Sequence, residues 1–260
     1  MGFFNYHMPP FLTVMGALYI LVAAPILIAL LRQGYWSGVF REIIAICKRR
    51  WQYIAATIII VLGLITWVDL PFTLLVKYLE PLTHSYTFWD FICSCAEGGT
   101  VAGALFTLMM ISSYYGKQKL TEVSKISLMS SIYGGLANGV FKFVFNRQRP
   151  SIGLDQWNFF EFFKSGAQHF DDLMYAYNSM PSGHTISTAA AILPFFMAYR
   201  NKWLRGILLW WWLMVAFSRV YTINHWLSDV TISSMLGIIF GLAVYRVNSF
   251  RINTHLRVYK

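Results

Sequence analysis

Seven apolar stretches, separated by short polar connections, leave this chain few ways to fold. They run over approximately 11–31, 53–76, 100–115, 126–145, 184–199, 203–221 and 227–247. A hydrocarbon core of about 30 Å takes about 20 helical residues to cross. The third and fifth stretches are short for that, and neighbouring Ser, Thr, Gly and Tyr extend each. The second contains Asp69 and Pro71 and is expected to end or kink there. No repeat, low-complexity tract or flexible linker interrupts the pattern. The chain therefore reads as one domain, an all-α polytopic transmembrane helix bundle.

Composition supports this. Of the 260 residues, 57% are hydrophobic and 12% are charged, against about 25% charged in soluble domains. Too few polar groups remain to cover a soluble globule of this size. The net charge of +10 does not point to nucleic acid, because the cations are spread between apolar stretches with no dense basic patch. Cys47 lies beside Lys48-Arg49-Arg50, and Cys93-x-Cys95 lacks metal-site spacing, so all three cysteines read as packed small residues. The N-terminal stretch has no basic region before it and no small-residue cleavage site. It reads as a retained helix rather than a signal peptide.

The cations orient the bundle. Fifteen of the 21 Lys and Arg fall in alternate connections: 32–52, 116–125, 200–205 and the tail from Arg246. Alternate connections share a side, and the positive-inside rule makes that side cytoplasmic. The N-terminus is then outside and the C-terminus inside. Six cations remain for the outer side: Lys77, Lys142, Arg147, Arg149, Lys164 and Arg219.

Three of those six belong to a pattern that carries chemistry. The chain contains Lys142-x6-Arg149-Pro150, then Pro181-Ser182-Gly183-His184, then Ser218-Arg219-x5-His225-x3-Asp229. Lys142 and Arg149 are two helical turns apart and point the same way if the helix continues to Pro150. Arg offers a planar fork of donors and Lys a mobile point charge, both suited to phosphate. Pro181 to His184 open the fifth stretch, where a helix start presents free N–H groups to an anion. Ser182 caps that helix or donates its hydroxyl, and Gly183 lets the backbone come close. His225 and Asp229, four apart, share a helical face. The carboxylate is expected to accept the Nδ1 proton and leave Nε2 free to attack. Arg147 reads as an interfacial anchor. Asp69 is expected to pair with a nearby cation or cap a helix end.

These three parts, in this order and spacing, resemble the signature of the type 2 phosphatidic acid phosphatase superfamily. The resemblance covers roughly Lys142 to Val230. It implies a six-helix phosphatase core, here 53–247, with 11–52 as an extra N-terminal helix and cytoplasmic loop. It also implies catalysis by His225, His184 and Asp229. His225 would attack phosphorus and His184 would protonate the leaving oxygen. Lys142, Arg149, Arg219, Ser182 and Gly183 would bind the phosphate. No metal or other cofactor is implied.

The expected substrate is a membrane lipid phosphate: undecaprenyl pyrophosphate, a lipid A phosphate, phosphatidylglycerol phosphate or phosphatidic acid. The expected place is the bacterial inner membrane, with the site facing the periplasm. Neither a nucleic acid nor an obligate protein partner is expected. The same residues would serve a lipid phosphotransferase, and a non-catalytic lipid-binding or transport protein is the remaining alternative. The connection 151–180 is rich in aromatics and acidic residues, and its run Trp157 to Phe163 is expected to lie on the outer leaflet or over the bundle mouth.

Overall fold

The computed structural model of the protein describes residues 35–83, 85–165 and 176–258. The stretch 11–31 lies outside the described residues, as does His169. Nine helices occur among the described residues. They are α1 (Tyr35–Arg49), α2 (Trp51–Thr83), α3 (Tyr86–Cys95), α4 (Gly98–Tyr114), α5 (Gln118–Phe145), α6 (Glu161–Ser165), α7 (Gly183–Ala198), α8 (Lys202–Tyr221) and α9 (Leu227–Val258). Six of them, α2, α4, α5, α7, α8 and α9, take up the second to seventh apolar stretches. The protein is an all-α membrane bundle.

Among the described residues, two helices are long and apolar enough to cross a bilayer alone, Trp51–Thr83 and Leu227–Ser249. The pair α3 and α4, bent by 54°, makes a third span if counted together. The others fall short in length or hydropathy, α7 having 16 residues. On α5, Ser124, Ser127, Ser130 and Ser131 are buried against protein rather than lipid. Small residues at such places let helices approach, where lipid offers no hydrophobic drive for association. Ile59, Trp67, Trp210 and Leu213 are instead exposed.

At the centre α7 lies between α5 and α9. Glycines set the spacing. A Cβ on Gly134 would stand 3.3 Å from the Ala190 Cβ. On Gly237 it would stand 2.6 Å from the Ala189 Cβ and 2.7 Å from the Ile186 carbonyl oxygen. On Gly241 it would meet the Ala190 carbonyl oxygen at 2.8 Å. Gly237 and Gly241 form a glycine pair four apart, which brings backbones together in membranes.

Two features were not in the apolar pattern. The second stretch does not end at Pro71. A π-helical turn over Leu64–Val68 precedes Asp69, and the helix then runs on to Thr83. A proline ring collides with the carbonyl four residues earlier. Here that carbonyl belongs to Trp67, inside the widened turn, where the spacing is already changed. Within the expected cytoplasmic loop, Tyr35–Arg49 is helical. It packs on α9, with Val39 and Ile46 in a core shared with Ile239, Ala243 and Val244. Arg246 of α9 donates to Glu42 at 2.8 Å.

Candidate active site

The C-terminus of α5, the N-terminus of α7, the C-terminus of α8 and the N-terminus of α9 lie at one end of the bundle. Between them is a cavity of about 260 Å³. Six of the sequence-predicted residues line it: Lys142, Arg149, Gly183, His184, Arg219 and His225. Ser182 and Asp229 do not. Ser182 is fully buried, its Oγ accepts from Thr185 Oγ1 at 3.1 Å, and its N–H donates to Ser233 Oγ at 2.6 Å.

Arg149 reaches the cavity by a different route from the one expected. Helix α5 stops at Phe145, because Asn146 takes the left-handed conformation (φ 37°) and its N–H closes on the Lys142 carbonyl. Asn is among the few residues that terminate helices this way. Arg149 therefore sits on the following connection. Its backbone N–H donates to Ala176 and its Nη1 to the Asn224 carbonyl at 3.1 Å.

His225 occupies the short connection between α8 and α9. The Arg219 carbonyl accepts from both the Asn224 and His225 N–H groups, and Ile223 is left-handed, which turns the chain sharply. The Nδ1 of His225 donates to the Ser179 carbonyl at 2.6 Å. Asp229 lies 3.8 Å from Nδ1, beyond hydrogen-bond range. The expected direct carboxylate partner is thus replaced by a backbone oxygen, with the same outcome for the tautomer: Nε2 keeps its lone pair. Burial holds the imidazole well below the usual histidine range, and the Arg149, Arg219 and Lys142 charges add to this, against the Ser179 hydrogen bond.

Asp229 is itself fully engaged. Its Oδ2 accepts from Ser179 Oγ at 2.5 Å and from the Trp226 N–H at 2.9 Å, and its Oδ1 from Arg147 Nη1 at 2.6 Å. The Trp226 contact closes the first turn of α9 as a capping box does. Arg147 is no interfacial anchor. It is fully buried, and its Nη2 donates to Asp69 Oδ2 at 2.8 Å and to the Gln156 carbonyl at 2.7 Å. Phe159 and Trp226 face its guanidinium at 4.8 and 5.2 Å. Phe159 turns inward, whereas Trp157, Phe160 and Phe163 of the same run face outward. Asp155 accepts from the Trp157 N–H and so shapes the turn. Phe170, Asp171, Asp172 and Tyr175 lie outside the described residues.

Three cavity residues escaped the sequence reading: Gly98, Asn138 and Ser187. Asn138 is one turn before Lys142, and Ser187 one turn after Gly183, so helical spacing from the motif residues would have found both. The Asn138 Oδ1 is buried without a hydrogen-bond partner. The Nε of Arg219 is also buried and unpartnered. Three cations, a helix N-terminus and two imidazoles thus surround one cavity, an arrangement rich in the donors that stabilise oxyanions.

Residues 125–253 match the family model of the PAP2 superfamily. Among solved structures, the chain is similar to the crystal structure of Aquifex aeolicus LpxE, with a TM-score of 0.50 and 20% sequence identity. That likeness covers 69% of this chain and 95% of the other. At this identity it is a likeness of fold. No curated protein matches the sequence.

Proposed function

We propose, from the premise that over residues 125–253 the chain belongs to the PAP2 superfamily, that it hydrolyses a phosphate ester or anhydride of a membrane lipid. The observation that carries this reading is His225, lining the cavity with its Nδ1 proton committed to Ser179 and three cations beside it. Nε2 attacks phosphorus and forms a P–N bond as the P–O bond to the lipid breaks. His184 gives its proton to the departing oxygen. It then takes a proton from water, which attacks phosphorus, breaks the P–N bond and releases phosphate. Lys142, Arg149, Arg219 and the Gly183 N–H meet the charge on the non-bridging oxygens.

Site residues gather at the end of the bundle opposite the cation-rich connections at 116–125 and 200–205. By charge bias that end faces outward, which supports the periplasmic face of a bacterial inner membrane. The cavity extends one turn beyond His184 to Asn138 and Ser187. A polar group next to the scissile phosphate fits there, as in a diphosphate, a glycerophosphate or a sugar phosphate lipid.

Detergent-purified protein assayed with EDTA on a panel of lipid mono- and diphosphates tests the reading. Wild type is expected to release phosphate and His225→Ala to lose about 10⁴-fold or more in kcat. An alkali-stable, acid-labile phosphoenzyme should form in wild type and be absent in His225→Ala. Folded wild type that releases phosphate from none of these lipids would overturn it.

A further inference from the structure

Asp69 lies outside the matched stretch 125–253 and outside the cavity, yet it ends in the catalytic connection. It is fully buried, in the middle of a helix whose first half is strongly apolar. Its Oδ1 accepts from the Ser228 N–H at 3.0 Å and its Oδ2 from Ser228 Oγ at 2.5 Å. Its remaining partner is Arg147, whose other face holds Ser228 Oγ at 2.7 Å and Asp229 at 2.6 Å. One guanidinium is thus clamped between two carboxylates. From there the path to the nucleophile is short. Asp229 holds the Ser179 hydroxyl, the Arg147 carbonyl holds the Ser179 N–H at 3.0 Å, and the Ser179 carbonyl holds His225 Nδ1.

Each contact has a physical reason to be rigid. Charge-assisted hydrogen bonds are short and directional, and a fully buried guanidinium has no water to exchange with. Removing one partner of a buried pair leaves a charge that the surroundings must move to satisfy. The groups bonded to Arg147 that would have to shift are Asp229 and Ser228, at the start of α9. The π-helical turn over Leu64–Val68 stands immediately before Asp69. Such turns insert one residue and rotate the remainder of the helix, and they are frequent at functional sites.

We propose that Asp69 is a positioning residue for the reaction: through Arg147 and Asp229 it fixes the Ser179 carbonyl and hence the tautomer and direction of His225. Asp69 touches no substrate in this scheme. It makes the N-terminal helices part of the catalytic apparatus rather than only its support. The inference rests on His225 acting as nucleophile.

The test compares wild type with Asp69→Asn in detergent, by steady-state kinetics on the best lipid phosphate and by ¹⁵N NMR of histidine-labelled protein. Asp69→Asn is expected to lower kcat about 100-fold, the scale of a small misplacement of a reacting group. KM should stay within about twofold, because Lys142, Arg149 and Arg219 are untouched. The His225 signal should shift from the Nδ1–H tautomer towards a mixture. Lowered thermal stability with unchanged kcat per folded molecule and an unchanged tautomer would overturn the proposal. Should Asp69→Asn fail to fold, Asp69→Glu decides, since it keeps a carboxylate beside Arg147 and displaces it by one methylene. A fall of about tenfold in kcat with a weakened Nδ1–H signal supports positioning; no change in either overturns it. If wild type hydrolyses no lipid phosphate, the phosphatase reading fails, and the NMR arm still judges whether Asp69 sets the His225 tautomer.

Discussion

His225 must be neutral to attack, and it must bear a proton on the far nitrogen. Both conditions arise from its surroundings: burial and three cations disfavour the imidazolium, and the Ser179 carbonyl takes the Nδ1 proton. A depressed pKa leaves the nucleophile competent as pH falls, until the folded value is reached. The acid limb of kcat/KM, which reports the free enzyme, should therefore lie well below the ordinary histidine value of about 6.5. Arg149→Met removes one cation, so that limb should move up in pH while activity falls about 10²–10³-fold. A pH–rate profile of both proteins checks the sign. His184 answers to another test. If it protonates the leaving oxygen, His184→Gln should lose about 10²–10⁴-fold on an alkyl phosphate and much less on a nitrophenyl ester, whose leaving group needs no acid. At this scale the motif residues were legible because their spacing is local. Ser179 was not, because its contribution is a backbone oxygen, which no side-chain pattern announces. Arg147 was misread because nothing near it in sequence shows that Asp69 and Asp229 converge on it.

Among elements, α2, α4, α5, α7, α8 and α9 were legible from apolar runs and α1, α3 and α6 were not, while helix ends depend on chemistry too local for those runs to show. Asn146 ends α5 four residues before Pro150, where the proline alone was expected to do so. The π-helical turn hides in plain apolar sequence and lets α2 pass through Pro71. The packing of α7 between α5 and α9 was likewise silent in the hydropathy pattern, although the glycines that permit it were in view. Gly237→Val tests how tight that crossing is. Its side chain would enter the space of Ala189 and of the Ile186 backbone, which cannot yield like a flexible side chain. Overpacking of this kind costs about 1–3 kcal/mol. Thermal unfolding in detergent should show the loss, and because His184 rides on α7, kcat should fall in the protein that remains folded.

For the whole molecule, charge bias and motif position agree on which end is which. The proposed outward orientation is open to a direct check. With Cys47, Cys93 and Cys95 replaced by Ala, a single cysteine at Ile152, exposed at the site end, should react with an impermeant maleimide added outside intact cells. A single cysteine at Gly116, at the opposite end, should react only after lysis. The reverse pattern would place the site in the cytoplasm. At this scale the second to seventh apolar stretches were legible as helices; the joining of distant segments was not. Asp69 is separated by 78 residues from Arg147 and by 159 from Ser228. During synthesis α2 therefore reaches the membrane long before its partners exist. A lone carboxylate at mid-helix costs about 2.5–3.5 kcal/mol on insertion, which the Ile-rich first half of α2 must offset. The same side chain thus hinders the growing chain and completes the finished one. An apolar residue at position 69 should enter the bilayer more readily and yield a poorer enzyme, so selection for ease of biogenesis and selection for turnover pull this position in opposite directions.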